Sequence, residues 1–142
     1  IHTAASVTLR VEDPFRDLIN PNLQGVETVV EACIRLDIQK LVYTSSVATI
    51  ACHDDFRPLH EQGVPFTEDM WVTHVTPTYA TYNYSKVVAE KRLMELWPSD
   101  RDLVCILPSW CVGPQQNQNV TTSNQIMKLL AKKERKLLPL LF

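Results

Sequence analysis

The stretch Lys40-Leu41-Val42-Tyr43-Thr44-Ser45-Ser46 has the pattern of a buried β-strand that ends in small polar residues. Before it, apolar residues recur at helical spacing, and they are Leu23, Val26, Val30, Cys33 and Ile34. Two dipeptides typical of helix starts precede this period, Asp13-Pro14 and Asn20-Pro21. The helix is therefore expected either to kink at Asn20-Pro21 or to begin there.

The same alternation of strand and helix continues after this strand. Residues 51–77 contain prolines without a sustained period, which predicts a loop. A helix over about residues 78–97 and a strand over residues 103–107 follow, each ended by a proline. A third helix is expected after an N-cap within residues 121–123, with an apolar stripe and a basic end: Ile126, Leu129, Leu130 and residues 132–136.

Together with residues 1–6, which resemble the tail of an earlier strand, this order predicts an α/β fold. The expected architecture is a parallel sheet with both faces covered by helices.

Composition narrows the classes of partner. A formal net charge of -2 gives no reason to expect nucleic acid or an anionic membrane surface. No apolar run approaches the ~20 residues that span a bilayer, and the first residues lack the basic segment of a signal peptide. The four cysteines show no metal-like spacing, so we interpret them as reduced thiols of an intracellular, cytoplasmic protein.

Glycine is scarce in this chain. The three glycines, Gly25, Gly63 and Gly113, each stand alone. A dinucleotide-binding fingerprint needs three glycines within about six residues at a strand-to-helix turn. The chain therefore contains no glycine-rich phosphate loop.

The segment Tyr82-Asn83-Tyr84-Ser85-Lys86 is the strongest candidate for chemistry. Positions four apart share a helix face, so the Tyr82 phenol and the Lys86 ammonium can enter the same site. A phenol is a poor base at neutral pH, and a nearby ammonium favours its ionised form. Such a pair suits proton exchange between a carbonyl and an alcohol. Of the four tyrosines only Tyr82 has a lysine four residues later, so Tyr84 is expected to be a packing residue.

The pair alone also fits an ordinary amphipathic helix, and its context favours a site. Ser46 follows a predicted strand at its carboxyl end, where open α/β sheets place their ligands. Its hydroxyl could hydrogen-bond the same substrate oxygen. The next strand ends likewise, at Pro108-Ser109.

These segments resemble the extended short-chain dehydrogenases/reductases, the NAD-dependent epimerase/dehydratase superfamily. The resemblance rests on residues 41–46, the tyrosine-lysine helix continuing through residues 87–91, the opening His2-Thr3-Ala4-Ala5-Ser6, and Gly113-Pro114. Asp13-Pro14, residues 18–21 and Gly25 resemble the dihydroflavonol reductase and 3-beta-hydroxysteroid dehydrogenase branch. The resemblance implies that residues 1–142 form a single, partial NAD(P)-binding domain, the C-terminal part of a Rossmann-like, doubly wound parallel sheet, without the glycine-rich N-terminal half of the family.

The resemblance implies roles for individual residues. Tyr82 would be the catalytic acid/base, Lys86 would lower its pKa and hold the nicotinamide ribose, and Ser46 would polarise the substrate oxygen. Asn22 would support the lysine through water, or it is simply a polar residue in the first turn of a helix. The cofactor would be NADP or NAD, contacted by Thr3, Ala4, Ala5, Thr44, Ser45, Tyr82, Lys86, Pro108 and Ser109.

The implied activity is hydride transfer between the nicotinamide and a secondary alcohol or ketone, dihydroflavonol- or hydroxysteroid-like. One alternative is a nucleotide-sugar epimerase or dehydratase, although Trp110 and Val112 replace the Asn and Tyr usual there. Another is a non-catalytic remnant. The helices near residues 21–36 and 78–97 resemble those that pair relatives, so we expect a homodimer of the intact protein that acts on a small molecule.

A metal site is not expected from the sequence. The histidines and acidic residues between positions 53 and 74 match no ligand template that we recognise, and a solvated loop explains them. Trp71, in the same loop, is expected either to touch a flat substrate or to anchor the packing.

Overall fold

A computed structural model describes residues 1–8, 11–52, 54–55, 61–114 and 121–131. It divides the chain into two compact units, Ile1–Pro108 and Ser109–Phe142, and each is described by itself below. The single-domain organisation stays a prediction.

In the first unit, a π-helical turn over Phe15–Ile19 leads directly into helix α1, Asn20–Arg35. Strand β1, Lys40–Thr44, is followed by a 3₁₀ turn at Val47–Thr49, and helix α2, Thr81–Leu96, precedes strand β2, Asp102–Ile106. β1 and β2 pair in parallel from Lys40↔Asp102 to Thr44↔Ile106. His2 forms a parallel bridge to Tyr43 on the other side of β1, so the opening residues are the end of a strand, as expected.

Both predicted helix starts are used. The Asp13 carboxylate accepts the backbone N–H groups of Phe15 and Arg16 at 3.0 and 3.1 Å, as a capping residue does. The α-helix proper begins at Asn20, with Pro21 in its first turn, where a proline needs no N–H donor. The helical segment therefore starts near Asp13 and changes from a π-helical turn to an α-helix at Asn20, so it combines the two expected starts.

Helices α1 and α2 pack on one face of the sheet. The core between them contains Val26, Val30, Leu41, Tyr43, Ala89, Leu93 and Trp97. On the other face of β2, Val104 and Ile106 are 40% and 49% exposed. Within the described residues, the prediction that both faces are covered therefore holds for one face only.

The described part of residues 51–77 forms turns rather than long elements, as predicted. A second buried cluster anchors it to α2, formed by Cys52, Val72, Val75 and Val87. Trp71 and Tyr84 pack against this cluster, so Trp71 is a packing anchor and Tyr84 is the packing residue that the sequence indicated.

The second unit contains helix α3, Thr122–Ala131. Thr121 caps it, since its hydroxyl accepts the Asn124 backbone N–H at 3.3 Å, within the N-cap segment that the sequence predicted. The side chains of the predicted stripe and the basic run at 132–136 lie outside the described residues. Among the described helices, none has the length and apolarity to cross a membrane, and the cytoplasmic location stays a prediction.

Candidate active site

The candidate site lies where the parallel strands end. β1 stops at Thr44, and the backbone continues to bond the segment after β2: Ser45 N–H donates to the Ile106 carbonyl at 2.8 Å and Val47 N–H to the Pro108 carbonyl at 3.1 Å. These bonds hold Ser46 at the carboxyl edge of the sheet, beside the first half of α2. Ligands of open α/β folds bind at this edge.

Lys86 is the most deeply buried charged residue of the site, with 1% of its surface exposed. Its Nζ donates to the Tyr43 hydroxyl and to the Thr44 carbonyl, each at 3.4 Å, and lies 5.1 Å from the centre of the Tyr43 ring. Burial lowers the pKa of Lys86, and the negative charge of Glu90 counteracts that shift. An ammonium offers three donors, and two long bonds leave it able to bind a further acceptor.

Tyr82 is half-buried, one helical turn before Lys86. Its backbone carbonyl accepts the Ser85 hydroxyl at 2.8 Å, which fixes the first turn of α2. Burial, followed by the charges of Glu90, Cys105 and Tyr82, raises the pKa of Tyr43 well above its usual value. Tyr43 contacts the Lys86 ammonium, and Lys86 follows Tyr82 by one turn of α2. The structure brings Tyr82 and Lys86 to one region, as the spacing predicted.

Ser46 is buried and caps the 3₁₀ turn that follows it. Its Oγ accepts the Ala48 backbone N–H at 3.1 Å, and its carbonyl accepts the Thr49 hydroxyl at 2.9 Å. Accepting a bond uses a lone pair and not the hydroxyl proton. Ser46 therefore keeps a donor for a substrate oxygen while its own position is fixed by the turn.

Asn22 is buried in α1 and links three parts of the chain. Its Oδ1 accepts the Ser6 backbone N–H at 2.6 Å, and its Nδ2 donates to the Ser6 carbonyl and to the Ser85 hydroxyl, both at 3.2 Å. Because Ser85 adjoins Lys86 in α2, Asn22 ties the opening segment to the helix of the candidate site. Support of the lysine through water stays a prediction.

Two buried residues of this region were missed from the sequence, Glu90 and Tyr43. Glu90 is 3% exposed and accepts the Ser45 hydroxyl. Burial and the adjacent Glu90 carboxylate raise the pKa of the Cys105 thiol to about 11. The signal for Glu90 was present, since it follows Lys86 by one helical turn just as Lys86 follows Tyr82. Nothing in the sequence spacing pointed to Tyr43. It contacts the lysine because α2 packs on β1.

The residues expected to contact the cofactor differ in exposure and in their hydrogen-bond partners. Thr3, Ala4 and Ala5 are exposed at the end of the opening strand, and their small side chains leave room for a ligand beside β1. Thr44 and Pro108 are half-buried at the same edge, whereas the Ser45 hydroxyl is turned to Glu90. Ser109 belongs to the second unit. Contact of these residues with the nicotinamide half of a dinucleotide stays a prediction, and the chain has no glycine-rich loop for a pyrophosphate.

A family model described as male sterility protein, an NAD-binding family, matches residues 1–142. The chain belongs to this family. The resemblance to dihydroflavonol reductases expected from the sequence is confirmed, and so is the nicotinamide dinucleotide as the class of cofactor.

Plant reductases are among the relatives of this chain. Anthocyanidin reductase of Arabidopsis thaliana is 30% identical over 119 residues, covering 79% of this chain and 34% of that protein. Dihydroflavonol 4-reductase of Medicago sativa is 28% identical, covering 80% and 52%. Tetraketide alpha-pyrone reductase 1 of Arabidopsis thaliana is 29% identical, covering 91% and 40%. The chain spans about a third to a half of the length of these relatives.

Solved structures confirm the fold class. Yeast methylglyoxal/isovaleraldehyde reductase, solved in complex with NADPH, matches with a TM-score of 0.74 at 22% identity, covering 92% of this chain and 43% of that chain. A reductase engineered to attenuate substrate inhibition matches with a TM-score of 0.76 at 24% identity, covering the same shares. The chain thus has the parallel α/β architecture of a Rossmann-type reductase, over part of that fold.

Proposed function

We propose that the protein carrying this chain transfers hydride between NADP(H) or NAD(H) and a secondary alcohol or ketone, with Tyr82 as the acid/base. The observation that carries the proposal is the buried Lys86 ammonium, one helical turn after Tyr82 and beside the carboxyl end of β1. The named relatives, which are reductases, support the same reaction class.

Ser46, Tyr82 and Lys86 have different roles at one substrate oxygen. Ser46, held by its cap on Ala48, donates a hydrogen bond to that oxygen and orients it. Tyr82 gives a proton to the oxygen in reduction and takes it back in oxidation. The Lys86 ammonium favours the phenolate between these events, because an opposite charge nearby stabilises the ionised form. The hydride chemistry itself belongs to the nicotinamide when it is bound.

For the substrate, we propose a flat, dihydroflavonol- or hydroxysteroid-like alcohol or ketone. The long interval between Ser46 and Tyr82 supports this class, as do the flavonoid names among the relatives. An assay of both substrate classes, with a nucleotide sugar as the contrasting third substrate, tests the choice. Turnover of the nucleotide sugar alone would replace the proposal with the epimerase or dehydratase alternative.

Replacement of the phenol tests the acid/base role. In the full-length protein we expect Tyr82→Phe to lower turnover by about 10²–10⁴-fold, the usual cost of removing a general acid/base, while the fold is retained. Tyr84→Phe is the matched control, because Tyr84 lies two residues away on the same helix and packs against the second cluster. Near-normal turnover of Tyr82→Phe, measured as kcat with NADPH, would contradict the acid/base role of Tyr82.

We also propose that the intact protein is a homodimer that pairs through α1 and α2. Each helix exposes a large apolar side chain, Ile34 on α1 and Met94 on α2, 43% and 47% exposed, and an ion pair joins Arg92 to Glu27 at 2.8 Å. Light scattering at micromolar concentration should give the mass of two chains. A monomer mass contradicts the proposal, and Ile34→Glu should shift a dimer toward that mass.

A further inference from the structure

A cluster of three metal-ligating side chains lies on the loop side of α2, apart from the candidate active site. The thiol of Cys52, a carboxylate oxygen of Asp54 and a ring nitrogen of His74 all lie within 4.8 Å of one another. Cys52 Sγ is 2.8 Å from His74 Nε2. No ligand-spacing template predicts this set, because the ligands come from two segments about twenty positions apart.

The two segments are held together by a backbone hydrogen bond and by apolar packing. Val72 N–H donates to the Thr49 carbonyl at 2.9 Å, which aligns the segment of His74 with the turn that precedes Cys52. Cys52, Val72 and Val75 are buried in the second cluster. The donors therefore converge because the backbone and the apolar packing place them, and a ligand would not have to assemble the site.

Neighbouring groups hold the three residues in ways typical of metal ligands. The other ring nitrogen of His74, Nδ1, faces the Asp55 carboxylate at 3.9 Å. The second oxygen of Asp55 accepts the Cys52 backbone N–H at 2.8 Å. The Tyr79 hydroxyl donates to Asp54. Histidines that bind metals almost always direct the second ring nitrogen to a carboxylate or carbonyl, which orients the ring.

We propose that Cys52, Asp54 and His74 form a zinc site in which Asp55 and Tyr79 orient the ligands. A thiolate, a carboxylate and a neutral imidazole carry two negative charges and balance a divalent cation. Sulfur and imidazole ligands favour zinc over the hard cations magnesium and calcium. In a tetrahedral zinc site the donor atoms lie roughly 3.5 Å apart, so side-chain shifts of roughly an ångström complete the geometry.

The site would join Cys52 and the turn residues Asp54 and Asp55 to the segment that leads into α2. Tyr79 immediately precedes Ala80, and α2 with Tyr82 begins at Thr81. A bound zinc ion would therefore restrain the approach to the helix that carries the candidate acid/base. Its role is structural, and it is independent of the proposed reductase activity.

Titration of the purified, chelator-treated chain with Co²⁺ tests the site. We expect one equivalent to bind, with a sulfur-to-cobalt charge-transfer band and the visible absorption of a tetrahedral ion, and Zn²⁺ should abolish both signals. Cys52→Ser should remove the charge-transfer band. His74→Gln and Asp54→Asn should weaken binding by at least ~10-fold, and Asp55→Asn by about 10–100-fold, the usual cost of losing an orienting partner.

The other thiols provide matched controls. Cys111→Ser and Cys33→Ser should leave the Co²⁺ spectrum and affinity unchanged, and circular dichroism should show that each variant is folded. Cys52 is buried, so its replacement could disturb folding. If Cys52→Ser does not fold, the variants of the exposed ligands Asp54 and His74 test the zinc site. Absence of the charge-transfer band, its survival in folded Cys52→Ser, or unchanged affinity in His74→Gln and Asp54→Asn would overturn the proposal. Those outcomes would leave only a thiol–imidazole hydrogen bond.

Discussion

At the scale of single residues, the candidate site depends on how Lys86 keeps its charge while buried. An isolated ammonium away from water becomes neutral, and burial does lower the pKa of Lys86. Glu90 opposes that shift from the same helix, one turn further on. The groups that face this pair from other elements are Tyr43 on β1, Cys105 on β2 and His2 on the opening strand.

Glu90 is therefore expected to set the alkaline limit of activity. Glu90→Gln removes the charge that raises the pKa of Lys86, so that pKa falls further. Activity needs the ammonium and is lost as the pH rises through its pKa, so the high-pH limb of the kcat profile of the full-length protein should move to lower pH. Glu95→Gln, an exposed carboxylate on the same helix, is the control and should leave the limb in place. An unshifted profile in Glu90→Gln would contradict the expectation.

At the scale of elements, the start of α2 carries backbone strain. Ala80, which precedes the helix, has φ 50° and ψ 50°, a left-handed conformation that disfavours residues with a Cβ. The Asn83 amide donates to the carbonyls of Ala48 and Ala51 at 3.0 Å each and joins the first turn of α2 to the 3₁₀ turn. These bonds hold the backbone in the conformation that presents Tyr82.

Relief of that strain should stabilise the chain. We expect Ala80→Gly to raise the free energy of unfolding by roughly 0.5–1 kcal/mol, since glycine adopts this conformation without a steric penalty. Ala32→Gly, inside α1, is the contrasting control and should lower the same quantity by about 1 kcal/mol. Urea unfolding followed by circular dichroism measures both. Destabilisation by Ala80→Gly would show that the left-handed turn carries no strain.

At the scale of the whole molecule, the proposed nicotinamide contacts belong to a chain that has no glycine-rich loop. The pyrophosphate in such folds rests on that loop and on the first helix N-terminus, so most of the phosphate binding energy has no counterpart here. One sheet face also exposes Val104 and Ile106. Exposed strand edges and apolar faces pair with other chains.

The isolated chain of 142 residues should therefore bind NADPH weakly or not at all, show no measurable reductase activity, and tend to associate. Calorimetric titration with NADPH measures the binding, and sedimentation of the same sample measures the association. Addition of Zn²⁺ serves as a control, because the proposed metal site is separate from the nucleotide site. Micromolar affinity for NADPH would contradict the expectation that tight binding needs the glycine-rich loop.

The sequence by itself determined the order of the elements, the parallel α/β class and the pairing of Tyr82 with Lys86. These features follow from local periodicity, caps and helical spacing, which act over a few residues. It also contained the signal for Glu90, at the same four-residue spacing. Only the tertiary structure brought Tyr43 under the Lys86 ammonium, joined Asn22 to Ser85, and gathered Cys52, Asp54 and His74. Those contacts link positions distant in the chain, and they arise from packing of helices on a sheet, which no local pattern records.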